Sequence, residues 1–507
     1  MTTDLRNAPV LVVGAGIMGA GIVQVAALAG HPVMLFDMRE GAARQSRDKL
    51  EATLDALVSK GRLKPEAAQA ALSRITPIAS LDEAAQARLV IEAIVEQLDA
   101  KRSLFSQIEG IVDDDAILAT NTSSISVTAI ANGLSNPGRL VGMHFFNPVP
   151  LMKLVEVVSG LQTDAVVAES IYALSLDWGK VPVHAKSTPG FIVNRIARPY
   201  YAETLALLQE QAATPQILDA CLKAAGFRMG PCELMDLIGH DTNYAVTQSV
   251  FEANFFDKRY VPSGVQREMV AGGLLGRKSG RGFYTYADGK ATTTPIHAAD
   301  FGAPSAPNRI AVHGNDAMAE QLAQAASAVL ASRGSTVARE RASDWTGLAV
   351  DGARLVLTDG RTAQQMARQF DAQEVAVFDR PIVQPGLPGT ALAYAVAPGC
   401  RASWGHDAGR WLAALGWAPV EVADTPGLVV ARTIAMIVNE AADAVQQGVC
   451  STDGADAAMK LGVNYPAGPF EWLAQWSVEG VIGVLRALDD EYRGERYRVS
   501  PWLRRKA

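Results

Sequence analysis

The sequence predicts an α/β protein: a doubly wound parallel sheet, an all-α domain, a degenerate second α/β domain and a second copy of the all-α domain. Three observations predict it. Short apolar runs alternate with helical stretches through residues 1–186. A glycine-rich turn, Gly14-Ala15-Gly16-Ile17-Met18-Gly19, follows the first of these runs. An octapeptide near residue 190 recurs in the last quarter of the chain.

At 507 residues the chain exceeds what one core supports, so two to four domains are expected. It is 49% hydrophobic and 20% charged, ordinary for a globular protein. A net charge of −7 provides no field for a polyanion, so a nucleic-acid partner is not expected. Cys221, Cys232, Cys400 and Cys450 are far apart, with no CxxC and no His/Cys pair at ligand spacing. That reads as four packed thiols in a reducing compartment and no metal. Val10 to Gly30 carries no charge and is long enough to suggest a membrane span. It contains Gly14, Gly16, Gly19, Gly21, Gly30 and a central Gln24, and it parses as strand, turn and helix. No other segment looks like an export or anchor signal, so a cytoplasmic protein with no membrane partner is expected.

The candidate strands of residues 1–186 are Pro9–Val13, Val33–Phe36, Arg88–Ile91, Ala116–Ala119, Arg139–Met143 and Leu154–Val158. They are nearly continuous apolar runs, as strands buried on both faces are. The gaps between them leave room for crossover helices. Residues 187–286 turn helical, with a helix at Val193–Gln209 for which Ser187-Thr188-Pro189 provides a cap and first turn. Residues 287–307 are rich in Ala, Thr and Pro and read as a linker. Residues 308–423 again show short strands, at Ile310–Val312, Leu355–Leu357 and Glu374–Phe378, but no GxGxxG.

Residues 424–507 repeat the helical domain. Thr188-Pro189-Gly190-Phe191-Ile192-Val193-Asn194-Arg195 returns as Thr425-Pro426-Gly427-Leu428-Val429-Val430-Ala431-Arg432, and Gly230-Pro231-Cys232-Glu233 returns as Gly468-Pro469-Phe470-Glu471. The offsets, 237 and 238 residues, indicate duplication. Asn194 becomes Ala431, so a catalytic role for that position belongs to the first copy.

Gly14, Gly16 and Gly19 follow an apolar strand and open a helix, the context in which this spacing points to a dinucleotide. Asp37 ends the second strand, where a carboxylate accepts ribose hydroxyls and repels a 2′-phosphate, favouring NAD over NADP; Arg39 nearby weighs the other way. Glu96 and Lys101 lie after the third candidate strand, within reach of the nicotinamide side, and Ser123 lies after the fourth, placed to bond a substrate oxygen. A Ser/Thr cluster at a strand end is more often a cap. His144 ends the strand Arg139–Met143 and Glu156 follows twelve residues later on a return strand. A histidine in an apolar run is usually a core residue. A carboxylate on one ring nitrogen instead fixes the tautomer and frees the other nitrogen to take a proton. Asn194, on the first turn of the helix that opens the second domain, reads equally as a polar first-turn residue or as a donor to an oxygen that gains charge.

Taken together, GAGIMGAGI, IEAIVE, NTSS, HFFNPVPLMKLVEVV, STPGFIVNR and GRKSGRGFY, spread over residues 8–286, resemble the L-3-hydroxyacyl-CoA dehydrogenase family. The resemblance implies a Rossmann-like first domain and NAD-dependent, reversible oxidation of an (S)-3-hydroxyacyl-CoA to the 3-ketone. By position it implies His144 as base, Glu156 as its orienting partner, Ser123 and Asn194 as substrate-oxygen ligands and Asn147 as a further active-site amide. It implies NAD contacts at Asp37, Glu96 and Lys101, and a CoA contact at Lys60. Long bacterial members with a duplicated helical domain, of the phenylacetate-degradation type, point to 3-hydroxyadipyl-CoA first and 3-hydroxybutyryl-CoA second. Short members dimerise through the helical domain, so an intramolecular pseudo-dimer of the two copies is expected, with a homo-oligomer also open. Two rival readings remain. A β-hydroxyacid or sugar-acid dehydrogenase would carry a catalytic lysine in place of the His/Glu pair. A catalytically inactive NAD- or acyl-CoA-binding scaffold would not need the complete set. Too few residues precede the first strand for a fused hydratase domain.

Overall fold

The computed structural model describes residues 3–292, 301–331, 336–382 and 390–507. The first sheet region runs β1 (Val10–Val13), α1 (Ile17–Leu28), β2 (Val33–Phe36), α2 (Ala42–Ser59), α3 (Pro65–Ser73), β3 (Ile75–Pro77), β4 (Leu89–Glu92), α4 (Leu98–Glu109), β5 (Ile117–Thr120), α5 (Val127–Ala131), β6 (Leu140–Phe145), β7 (Leu154–Ser159), α6 (Ala165–Asp177) and β8 (Val181–Lys186). Six helices follow: α7 (Val193–Ile196), α8 (Arg198–Gln209), α9 (Pro215–Ala224), α10 (Pro231–Ile238), α11 (His240–Ala253) and α12 (Gly264–Ala271). A hairpin of β9 (Tyr286–Ala287) and β10 (Lys290–Ala291) leads to the second sheet region. That region holds β11 (Ile310–His313), α13 (Ala317–Ala331), β12 (Ala338–Glu340), β13 (Gly347–Val350), β14 (Ala353–Leu357), α14 (Ala363–Phe370), β15 (Val375–Phe378), β16 (Ala391–Val396), α15 (Ala402–Ala414) and β17 (Ala418–Glu421). The chain ends in α16 (Val430–Gln446), α17 (Thr452–Gly462), α18 (Pro469–Trp476), α19 (Val478–Tyr492) and α20 (Pro501–Arg504). It divides into two compact units, Met1–Ile196 with Ala444–Asn464, and Ala197–Asp443 with Tyr465–Ala507.

In the first unit the sheet order is β3-β2-β1-β4-β5-β6-β7-β8. All neighbours are parallel except β6 and β7. The six strands expected from apolar runs form within one or two residues of their predicted ends. β3 and β8 were not foreseen: β3 is three residues long and ends in Pro77, and β8 alternates Val181, Val183 and Ala185 with Pro182, His184 and Lys186. The uncharged run Val10–Gly30 is a buried strand, a turn and the buried helix α1. Among the described residues, no helix is long and apolar enough to cross a membrane.

One expectation is corrected here. Ser187-Thr188-Pro189 does not cap the helix. Gly190 (φ 78°) and Phe191 (φ 46°) turn the chain through the left-handed region before α7 starts at the expected Val193. The helix also breaks at Ala197, because Pro199 has no N–H to offer the carbonyl of Arg195.

In the second unit the order is β12-β11-β13-β14-β15-β16-β17. It matches β2-β1-β4-β5-β6-β7-β8 strand for strand, but β13 is reversed. β13 and β14 form an antiparallel hairpin through Asp351 (φ 48°) and Gly352 (φ 90°), where the first unit has a crossover helix between parallel β4 and β5. Part of the predicted linker, 293–300, lies outside the described residues.

The strand registers tie the two sheets together residue by residue. Glu156 pairs with Val183 and Ala393 with Val420, each five residues before its Thr-Pro-Gly turn. Ala393 therefore holds the Glu156 position. His144 faces Glu156 across β6 and β7, and the Asp379 N–H donates to the Ala393 carbonyl at 2.9 Å, so Asp379 holds the His144 position. Gly314 (φ 97°) matches Gly14 (φ 109°), which sets Asp316 against Gly16 and Ala319 against Gly19.

Candidate active site

The first unit builds its site along the carboxyl edge of the sheet, beside the switch in strand order at β1, where open α/β sheets bind ligands. β6 ends in His144 and β7 carries Glu156 opposite it. His144 Nδ1 bonds Glu156 Oε2 at 2.6 Å, and the two residues are 5% and 0% exposed. Glu156 Oε1 accepts the N–H groups of Ile192 (3.1 Å) and Val193 (2.9 Å) at the start of α7. The carboxylate thus joins the histidine to the helix that carries Asn194. The His144 ring also packs against Phe146 and Phe191, with centroids 4.5 and 5.8 Å away.

His144, Asn147, Ser123 and Asn194 line one cleft with Lys101 and Glu96, of about 370 Å³. The Asn194 amide lies 3.4 Å from the Ser123 carbonyl. Lys101 is buried between Glu92 Oε1 (2.6 Å) and Glu96 Oε2 (3.2 Å). Burial alone would raise the Glu96 carboxyl, but the Lys101 ammonium and donors from Thr122, Ser123 and Ser124 outweigh it and hold it down at about 2. Glu92 has no role in the sequence reading, yet it is fully buried and also binds Thr120 and the Ile94 N–H. The signal was a carboxylate closing an apolar strand. Asn121 is a second missed residue; its Oδ1 takes the Phe145 N–H and steadies the end of β6.

The glycine turn fits a dinucleotide. Gly14 needs its positive φ, and a Cβ there would lie 2.4 Å from the Ala93 carbonyl. A Cβ on Gly19 would strike the Gly14 carbonyl, so the helix packs closely on the turn. A Cβ on Gly16 would meet nothing within 4 Å, and α1 has no side-chain cap. The helix N-terminus is therefore open to an anion. Asp37 accepts the Ala15 N–H and a bidentate Arg39, whose guanidinium is the main cause holding the carboxyl down at about 2. Arg39 is thus engaged by the residue whose preference for NAD it was expected to oppose. Lys60 caps the C-terminal end of α2, exposed and outside the cleft lining.

The second unit lacks this set. Asp316 sits where Gly16 leaves space and caps α13 itself, accepting the Ala319 N–H at 2.8 Å. Asp379 accepts from Val429 (2.9 Å), Val430 (2.6 Å) and Ala431 (2.9 Å). It anchors the second Thr-Pro-Gly helix as Glu156 anchors the first, with no histidine beside it. Burial pushes its carboxyl up to about 6 against these donors. Among the described residues there is no group of His, Cys, Asp and Glu able to hold a metal, and all four cysteines are free.

A dinucleotide cradle beside a carboxylate-oriented histidine defines an NAD-dependent oxidoreductase that moves a proton and a hydride. Comparison with known proteins narrows this. Family profiles described as the NAD-binding domain and the C-terminal domain of 3-hydroxyacyl-CoA dehydrogenase match residues 9–188, and 190–286 with 427–507. A 3-hydroxybutyryl-CoA dehydrogenase reduced Rossmann-fold domain matches 355–426. The chain is 44% identical to a 3-hydroxyadipyl-CoA dehydrogenase of Escherichia coli K12, over 98% of this chain and 97% of that one. A crystal structure of an E. coli K12 3-hydroxybutyryl-CoA dehydrogenase superposes with a TM-score of 0.88 at 42% identity, covering 99% and 98% of the two chains. An (S)-3-hydroxybutyryl-CoA dehydrogenase from Ralstonia eutropha matches 55% of this chain and 99% of its own, with a TM-score of 0.54 and 42% identity. The protein belongs to the 3-hydroxyacyl-CoA dehydrogenase family, with NAD as cofactor.

Proposed function

We propose that the substrate is 3-hydroxyadipyl-CoA and that His144, Glu156, Ser123, Asn194 and Asn147 carry its oxidation. NAD, held by Gly14, Gly16, Gly19, Asp37, Glu96 and Lys101, supplies the hydride acceptor. His144 Nε2 takes the proton of the C3 hydroxyl as the C3–H bond gives up its hydride and the C=O bond forms. Glu156 on Nδ1 holds the ring tautomer and stabilises the imidazolium. Such a base contributes ~10²–10⁴-fold. Ser123 and Asn194 donate to the C3 oxygen, which carries the developing charge; one such donor is worth ~2.7–4 kcal/mol. Asn147 supplies a further amide, and Lys60 contacts CoA.

The observation that carries this reading is the His144–Glu156 pair at the cleft. The choice of acyl group is supported by end-to-end likeness to a relative named for 3-hydroxyadipyl-CoA. The name of the full-length solved relative favours 3-hydroxybutyryl-CoA as the second reading. A panel of 3-hydroxyacyl-CoAs separates them: kcat/KM is expected to be highest for 3-hydroxyadipyl-CoA, and a higher value for 3-hydroxybutyryl-CoA would replace the first reading. We place the enzyme in the cytoplasm, as four free cysteines suit a reducing compartment.

We further infer five parts, 1–186, 187–286, 287–307, 308–423 and 424–507, in which the second helical copy replaces the dimer partner of short family members. Reciprocal contacts support this. Arg259 and Tyr260 of the first copy grip Glu440 of the second; Arg496 and Tyr497 of the second grip Glu203 of the first. Each pair is related by 237 residues. Arg195 bonds Gln447, and Arg432 bonds Glu210. The Lys186 N–H donates to the Val449 carbonyl, and the Ala423 N–H donates to the Ala212 carbonyl. Residue i touching j, with the mate of j touching the mate of i, is the mark of an isologous interface. A 1–290 fragment is expected to run as a dimer on sizing; a well-behaved monomer would count against this arrangement.

A further inference from the structure

α7 is four residues long, and so short a helix has no stability of its own. Its orientation is set by what holds it. Glu156 binds its leading amides. On another side it is held by residues of the second copy, Ala444–Asn464, which pack with the first sheet region as one compact unit. α17 lies on β7, β8 and α7. Arg195, the residue after Asn194, is buried and donates to Gln447 Oε1 at 2.8 Å. Strand β8 continues into this segment through the Lys186 N–H, bonded to the Val449 carbonyl at 2.9 Å. The packing at Gly462 leaves no room for a side chain. A Cβ there would lie 2.6 Å from Leu154 Cδ2, 3.0 Å from Val193 Cγ2 and 3.7 Å from Phe146. Leu154 is on the Glu156 strand, Val193 donates to Glu156, and Phe146 packs against His144 in a tilted ring contact. A side chain at position 462 would therefore meet neighbours of both members of the acid–base pair. Phe146 lines the cleft, but no residue of 444–464 does.

We propose that residues 444–464 are a positioning element for the reaction in the first copy, with Gln447, through Arg195, and Gly462, through Leu154, Val193 and Phe146, setting where Asn194 and the His144–Glu156 pair point. The second copy is then more than a stabilising partner: it forms the rear wall of a site it does not enter. Small displacements of catalytic groups are costly, since misplacement by ~1 Å is worth up to ~10²-fold in rate.

The inference rests on the roles given to His144, Glu156 and Asn194, and the test separates the two. In the full-length enzyme, steady-state kinetics are measured with acetoacetyl-CoA and NADH for Gln447→Ala, Gln447→Glu, Gly462→Ala and His144→Gln, with NADH binding followed by fluorescence. Gln447→Ala is expected to lower kcat about tenfold while the KM and dissociation constant for NADH stay within about twofold. Gln447→Glu keeps the acceptor for Arg195 and is expected to restore most of kcat, which a loss of general stability would not allow. Gly462→Ala is expected to lower kcat in the same NADH-sparing way. If His144→Gln abolishes turnover while Gln447→Ala and Gly462→Ala both keep the wild-type kcat, the positioning role is wrong and the site stands. If Gln447→Ala and Gln447→Glu lose kcat and NADH binding alike, the segment only stabilises the fold and the positioning role is again wrong. If His144→Gln remains active, the assignment of the site fails first.

Discussion

The helices that begin near Ile192 and Val429 are entered by eight residues of which five are identical, with a left-handed pair at the same place, Gly190 and Phe191 in one and Gly427 and Leu428 in the other. Different strands hold them. At the first, Glu156 on β7 binds two amides with one oxygen and His144 with the other. At the second, Asp379 follows β15, the counterpart of the histidine strand, and spends both oxygens on four amides, three of them at the helix start. A helix N-terminus can satisfy its unmatched N–H groups with a carboxylate. The proposed mechanism needs a carboxylate with an oxygen to spare and a histidine to receive it. The second copy kept the first requirement and lost the second. The loss is consistent across the sheet: Asp316 closes the anion cradle, the β13–β14 hairpin removes a crossover, and Ala431 replaces the amide donor.

The sharpest way to break this contrast is to exchange the two carboxylate sites in function. Glu156→Gln keeps a hydrogen-bond acceptor but removes the charge that orients and stabilises the imidazolium. It is expected to lower kcat by ~10² or more, whereas Asp379→Asn is expected to leave kcat per folded molecule within about twofold. Turnover measured beside an active-site titration checks both. Asn194→Ala comes next, with an expected loss of ~10²–10³ in kcat; its mirror, Ala431→Asn, is expected to change nothing, and a large effect there would mean that the second site still acts. In the cofactor cradle, Gly16→Asp copies Asp316 into the first unit, and NADH affinity is expected to fall at least tenfold by fluorescence titration, because a fixed carboxylate would stand where α1 is open to an anion. The smallest effect is in stability against pH. The Asp379 carboxyl is raised from 3.8 to about 6, so its contribution is complete below the lower value and is lost as pH rises through the upper one. The margin of wild type over Asp379→Asn is expected to shrink from pH 4 to pH 7.5 by on the order of 2 kcal/mol. A margin that widens over that range, read from melting curves, would contradict the assignment.

Much of the first unit was legible because parallel strands buried on both faces leave continuous apolar runs, and His144, Asn147, Ser123, Asn194, Glu96 and Lys101 fall at or just beyond the strand ends and the helix start that such runs locate. β8 was not legible, because Pro182, His184 and Lys186 alternate through it; the helix start at Val193 was legible, but not its cap, because the amides there are bound by Glu156 rather than by Thr188 or Pro189. The second sheet region was legible only as short strands. Its correspondence with the first rests on registers, and Asp379 and Ala393 share no sequence likeness with His144 and Glu156. The 237-residue repeat indicated a duplicated helical segment, but not that α17 would lie on β7, the strand that carries Glu156.

The most direct test of one working site among two related ones is NADH consumption with acetoacetyl-CoA by wild type and by His144→Gln, with NADH binding confirmed in both. A rapid wild-type rate and a loss of at least ~10² in the variant are predicted. A variant that binds NADH and still turns over near the wild-type rate would show that His144 is not the base and that the comparison has been drawn around the wrong residues.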